Sequence, residues 1–232
     1  MDQSHRPSDD ICTFVSQDGY FYKEDPQIGD IVVDFTERDF PFGSEMGIDL
    51  CKRCIENFGP VLVSLLGRCK LAYLEPWGPT GKVRTVMYNP TGDIQILFIQ
   101  LWSRGSQAQL WAKGHRLRIP REKRPVGRDH LFHIQEGALT EGNHELKLER
   151  GGFMILDGRL PLKVAVGEAL LFGFVSEKEL ASAKQADEKN WQPLLIPPEI
   201  EELALSVEKI NPMIGTTFKV NKFSDEAASI PR

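Results

Sequence analysis

The residues of this 232-residue chain best equipped for chemistry lie in its second half. His115, His130, His133, His144 and Asp157 carry the imidazole nitrogens and carboxylate oxygens that bind zinc or iron. His130 and His133 are three positions apart, so on a regular strand they face opposite sides and share one ion only across a bulge. No His-x-Asp or His-x-Glu pair occurs anywhere in the chain. Histidines hydrogen-bonded in a polar loop and strand are therefore the favoured reading, with His130, His133 and Asp157 as the alternative metal set and His115 as an outer member. Asp157 and Arg159 flank Gly158, which suggests a corner ion pair or turn cap ahead of a catalytic pair. The candidate catalytic set is thus His115, His130, His133, Asp157 and Arg159.

A second group could line a pocket. Gln95, Gln100, Gln107 and Gln109 stand on two adjacent predicted strands, and Gln107 and Gln109, two apart, share one face. Inward glutamines would mark a wet cavity and outward ones a solvated sheet. Tyr88 and Trp102 complete the predicted lining, since small-molecule sites are largely apolar with a few placed polar groups. The run Lys113, Arg116, Arg118, Arg121, Lys123, Arg124 and Arg128 is the one basic stretch in a chain of net charge -5. Arginine pairs bidentately with carboxylate or phosphate, so Arg116 and Arg118 are candidate ligands for an acidic molecule. A solvated loop, or a protein partner docking along Lys113 to Arg128, explains the same run. The acidic balance and the lack of interleaved aromatics argue against nucleic acid.

Cys51 and Cys54 have C-x-x-C spacing on a predicted helix, but no second pair completes a zinc site and no preceding strand suggests a redox motif. They read as core residues. The start, MDQSHRPSDD, has no apolar run after a basic segment. No stretch approaches the roughly 18 apolar residues of a membrane span. A reduced, cytoplasmic protein is expected.

These residues need a scaffold. Apolar positions at steps of three and four over Met46 to Lys70 predict helix, divided or kinked near Gly59 by Pro60. Gly19 to Tyr22 and Ile31 to Phe35 read as strands, and Glu75 to Gly81 as a turn. From Lys82 to Val175 the pattern becomes short apolar runs bounded by Gly, Pro and Asn. Those runs give eight strands: 83–88, 94–102, 107–111, 130–134, 144–148, 153–156, 162–166 and 169–175. Asn89 to Gly92 and Asp157 to Arg159 are expected as tight hairpin turns. Ser176 with Glu179 predicts a capped helix to about Lys189. A second helix is expected from Glu199 to Lys209, then a loosely held tail from Asn211. One structural domain is expected, with an N-terminal extension 1–81, a β-core 82–175, and C-terminal helices and tail 176–232. The fold class is mainly β with added helices, a jelly-roll or cupin-like barrel.

The stretch Gly151 to Val175, GGFMILDGRLPLKVAVGEALLFGFV, resembles the closing strands of the phytanoyl-CoA dioxygenase-like branch of the 2-oxoglutarate/iron oxygenases. Trp102 to Pro120, with Gly114-His115-Arg116, is similar to that family's paired strands and following turn. The resemblance covers about a third of the chain. It implies a double-stranded β-helix whose iron sits on a His-x-Asp pair and a distal His. The distal ligand would fall just after Arg159-Leu160-Pro161, where this chain has Leu162, and the later co-substrate arginine at Gly167-Glu168.

Three functions follow. The first is an oxygenase-derived small-molecule-binding barrel without the usual iron ligands and with no cofactor, acting as an accessory protein or metal-independent enzyme in specialised metabolism. The second is an iron and 2-oxoglutarate oxygenase with atypical ligands. The third is a non-catalytic interaction protein.

Overall fold

The computed structural model describes residues 7–85, 92–117, 132–134, 139, 142–185 and 193–221. Two sheets face each other. The larger has six strands, β1 (Tyr20–Glu24), β2 (Cys69–Trp77), β4 (Ile96–Trp102), β8 (Gly152–Asp157), β10 (Ala169–Ser176) and β12 (Ile214–Thr216), in the order β1-β8-β4-β10-β2-β12. The smaller has β3 (Val83–Thr85), β5 (Ser106–Trp111), β6 (Phe132–Ile134), β7 (Asn143–Leu148) and β9 (Leu162–Val166), in the order β6-β3-β9-β5-β7. This α+β arrangement is the double-stranded β-helix. No described strand in either sheet bonds to the strand next to it in sequence.

The larger sheet buries both faces, and its sequence shows why. β4 and β10 are buried at every residue, and their continuous apolar runs suit a sheet covered on both sides. On β4, Leu97, Ile99 and Leu101 pack in one core with the helices, whereas Ile96, Phe98 and Trp102 join the core between the sheets. Three helices, α1 (Pro7–Asp18), α2 (Pro26–Glu37) and α3 (Glu45–Leu66), supply the outer layer. On α3, Leu50, Cys51, Cys54, Ile55, Phe58 and Leu62 form a buried stripe at three- and four-residue steps. Exposure of that stripe to water would cost roughly 1.5–3 kcal/mol per large side chain.

Several expectations change. Ile31 to Phe35 is helical: Asp25 accepts a hydrogen bond from Gln27 N, Pro26 sits at the first turn, and Val32 and Phe35 turn inward together. Caps and packing outweigh the strand preference of Ile31, Val32 and Val33. Pro60 neither divides nor ends α3, which runs on to Leu66 with buried residues on both sides of the proline. Cys69 to Trp77 is strand β2 and takes in part of the expected turn. Pro76 is tolerated because β12 covers β2 only at Cys69 to Leu71, leaving an open edge beyond.

Asp157 to Arg159 joins β8 in the larger sheet to β9 in the smaller, so it crosses between sheets instead of closing a hairpin. Asn89 to Thr91 lie outside the described residues. Ser176 caps α4 (Glu177–Gln185) through Glu179 N at 3.2 Å. α5 (Glu201–Val207) follows a 3-10 turn at Pro198–Ile200. The tail is held as far as Asn221. β12 joins the larger sheet, and β13 (Lys219–Val220) pairs in parallel with β11 (Leu195–Ile196).

Candidate functional site

Strand alternation decides which polar groups enter the space between the sheets. Gln100 shares a face of β4 with Phe98 and Trp102, both in the inter-sheet core. Its strand neighbours across the sheet are Leu171 on β10 and Met154 on β8. Gln100 and Trp102 have no exposure, and Trp77 has 4%. Among the described residues neither amide atom of Gln100 has a hydrogen-bond partner, and the indole N–H groups of Trp77 and Trp102 also lack one. Each such group costs about 1–3 kcal/mol when buried.

Across the barrel, Arg84 on β3 stands opposite Leu162 on β9, a member of the inter-sheet core. The Arg84 guanidinium carbon is 5.9 Å from the centre of the Trp77 ring, within reach of a cation–π attraction.

A second cluster forms where α1 and β1 meet the end of β8. The Asp157 carboxylate accepts from Arg159 N and Nε, each at 2.9 Å, and from Nη2 at 2.5 Å. Both side chains are buried. His115 occupies a 3-10 turn, Gly114–Arg116, entered through Lys113 in the left-handed region at φ 62°. Lys113 N donates to Asp18 O, and Asp157 N donates to Gly19 O, which pins the turn and the strand to one corner. Burial holds the His115 imidazole below its ordinary pKa; Asp157 opposes this, while Arg159 and Arg116 reinforce it. Nε2 accepts from Arg116 Nε at 3.3 Å. Nδ1 faces Gly19, where a Cβ would come within 2.5 Å of it. Glycine is thus required here both for space and for its φ of +90°. The structure brings His115, Asp157 and Arg159 together as a neutral imidazole beside an ion pair, closed to solvent on this corner.

The remaining candidates scatter. Gln95 is engaged at the mouth of β4: its Oε1 accepts from Ser176 Oγ at 2.5 Å, and its carbonyl accepts from Ser176 N. Gln107 and Gln109 pair with Lys147 and Glu145 on the outward face of the smaller sheet. His144 is exposed on edge strand β7. Arg116 lies at the surface and donates to Ser16 O at 2.8 Å. His133 pairs with Arg84 through the β3–β6 register. Tyr88, Arg118 and His130 lie outside the described residues, as does the basic run beyond Leu117. Cys51 and Cys54 are buried, and burial pushes both thiols well above their ordinary value. Cys69 is pushed up to about 12 by burial and then by Glu177.

Among the described residues no three His, Cys, Asp or Glu side chains converge to hold a metal ion. The facing pair Arg84 and Leu162 offers a cation and a hydrocarbon, neither of which donates an electron pair to iron. Arg84 was expected on strand 83–88 without a role, and Trp77 was expected in a turn. No helix among the described residues is long and apolar enough to cross a membrane.

No protein-family model matches the chain, and no curated protein matches it. Among solved structures it is similar to SnoN, the non-heme alpha ketoglutarate dependent epimerase from nogalamycin biosynthesis. The TM-score is 0.53 at 12% identity, over 73% of this chain and 83% of SnoN. SnoN in complex with Fe3+, alpha ketoglutarate and nogalamycin RO gives 0.54 at 10% identity over the same shares. Apo HygX from Streptomyces hygroscopicus gives 0.50 at 10% identity, over 73% of this chain and 86% of HygX. At such identities the likeness is one of fold.

Proposed function

We propose that this double-stranded β-helix binds a small organic molecule between its sheets and works without the usual iron set. Its role is that of an accessory protein or a metal-independent enzyme in specialised metabolism. The observation that carries this is the pair Arg84 and Leu162, facing each other across β3 and β9 on the inner side of the smaller sheet. A guanidinium there repels a metal cation and attracts electron-rich oxygen. The chain is, on this reading, a diverged relative of the iron and 2-oxoglutarate oxygenases, nearest their phytanoyl-CoA dioxygenase-like branch through Gly151 to Val175. The part that SnoN plays in nogalamycin biosynthesis supports the metabolic setting.

A second reading is an iron and 2-oxoglutarate oxygenase with atypical ligands. It draws on the register that sets His133 directly opposite Arg84.

Metal analysis of protein purified without chelator, followed by iron and 2-oxoglutarate titration and a broad metabolite panel read by thermal shift, tests both. The expected result is iron well below stoichiometric and saturable binding of at least one metabolite. Stoichiometric iron lost in His130→Ala or His133→Ala would replace the first reading with the second. No iron and no saturable ligand would leave an interaction protein.

A further inference from the structure

We infer that the inner face of the larger sheet recognises an uncharged ligand through one planar group that both accepts and donates hydrogen bonds, such as a lactam or carboxamide, held by Gln100, Trp77 and Trp102. This rests on the reading of the barrel as a small-molecule site. Two strands on either side of β10 present the trio, Gln100 and Trp102 from β4 and Trp77 from β2. Trp102 on β4 and Trp77 on β2 both pair with Ala169 of β10. Two strand spacings separate the tryptophan backbones, roughly 10 Å. Only a methyl group stands between them. That separation is about twice the distance between centres in an offset aromatic pair, the spacing that one flat ring inserted between two indoles requires.

Hydrogen-bond bookkeeping then sets the chemistry of the ring. An indole N–H only donates, whereas a primary amide donates through nitrogen and accepts through oxygen. Among the described residues all of these groups are without partners. A lactam carbonyl accepts from the N–H donors, and its own N–H returns a bond to the Gln100 oxygen. A carboxylate has no N–H or O–H to give, so it leaves that oxygen unmet. A hydrocarbon meets none of the groups. Glu75, opposite Leu171, lies on the same face of the larger sheet as Gln100. Arg84 reaches Trp77 from the facing sheet. Among the described residues these two place one charge of each sign beside the trio, so they give no net preference for an anion. Because Gln100 and Trp102 are fully buried, the ligand enters by displacing whatever covers them, and binding recovers the hydrogen bonds that the closed barrel lacks.

Three bicyclic probes separate these cases: 2-quinolone as the lactam, naphthalene as the hydrocarbon, and 2-naphthoate as the carboxylate. Each is titrated into the full chain by calorimetry, with tryptophan emission followed in parallel. The lactam is expected to bind at least tenfold more tightly than the other two, about the difference one net hydrogen bond makes. It should also perturb tryptophan emission, an effect reduced in Trp102→Phe. Gln100→Met should weaken lactam binding about tenfold or more while raising the melting temperature of the free protein, since it removes an unpaired amide. Tighter binding of 2-naphthoate, with lactam affinity unchanged in Gln100→Met, would overturn this inference and leave the pocket reading standing. Failure of all three probes to bind would also overturn it, and the wider metabolite panel would then judge the pocket by itself. A lower melting temperature in Gln100→Met, with lactam affinity intact, would make Gln100 a structural amide and overturn the recognition role.

Discussion

Replacing Asp157 by alanine tests the buried corner most sharply. Asp157 is 1% exposed and Arg159 6%, and the carboxylate takes three hydrogen bonds from Arg159. Removing it takes from a buried guanidinium the carboxylate that accepts three of its hydrogen bonds, which costs about 3–5 kcal/mol. For a chain of this length each kcal/mol moves the melting temperature by roughly 2–4 °C, so a fall of about 6–20 °C is expected. Asp157→Asn keeps one acceptor oxygen and should lose about 1–3 kcal/mol. The double variant Asp157→Ala/Arg159→Met should recover much of the loss, because it removes the buried guanidinium along with the carboxylate. Urea unfolding of the four proteins gives these differences, with the denaturant slope serving as a check that the transition stays two-state. If Asp157→Ala lies within about 0.5 kcal/mol of the parent, or the double variant is no better than the single, the ion pair does not hold this corner.

Two further outcomes follow from the same chemistry. His115 is held below its ordinary pKa, so as pH falls past about 6.5 the unfolded chain takes up the proton first. The stability tied to His115 is present above that pH and is lost as pH falls through the folded-state pKa. His115→Gln should flatten the dependence between about pH 7 and pH 5, and identical urea-unfolding profiles in the two proteins would contradict the assignment. Iodoacetamide near pH 8, about where an ordinary thiol titrates, should label partly exposed Cys12 in the native protein and reach buried Cys51, Cys54 and Cys69 only after unfolding. Native labelling of Cys51 at the rate of Cys12, read by mass spectrometry, would refute their burial.

Much of the barrel was legible from residue order. β9 matches its expected bounds, and β5, β7, β8 and β10 differ from theirs by a residue or two, because short apolar runs between glycines leave little choice of element. What misled was local preference set against tertiary context. Ile31-Val32-Val33 favours strand until the Asp25 cap and the burial of Phe35 are counted. Pro76 signals a turn until the sheet edge is known. For the site, the even spacing of Gln107 and Gln109 shows that they share a face but not which one. Trp102 and Gln100 stand inward because they alternate with Ile99 and Leu101, which the helices cover. His115 and Asp157 were grouped as candidates by residue type, but their proximity depends on the packing of α1 and β1 against the end of β8, which no spacing in the sequence gives.

The strand order also governs how this chain can be made. Because no described strand pairs with its neighbour in sequence, the described strands offer no hairpin to nucleate either sheet, and loop-closure entropy must be met before most of their pairings form. Tyr20 waits for Leu156, and Cys69 waits for Ile214. On the ribosome, β2 and β4 emerge with their apolar faces bare and stay so until β8 and β10 have been synthesised. The nascent chain thus spends much of its synthesis as a surface for chaperones, and truncation before β12 strips the cover from the edge of β2.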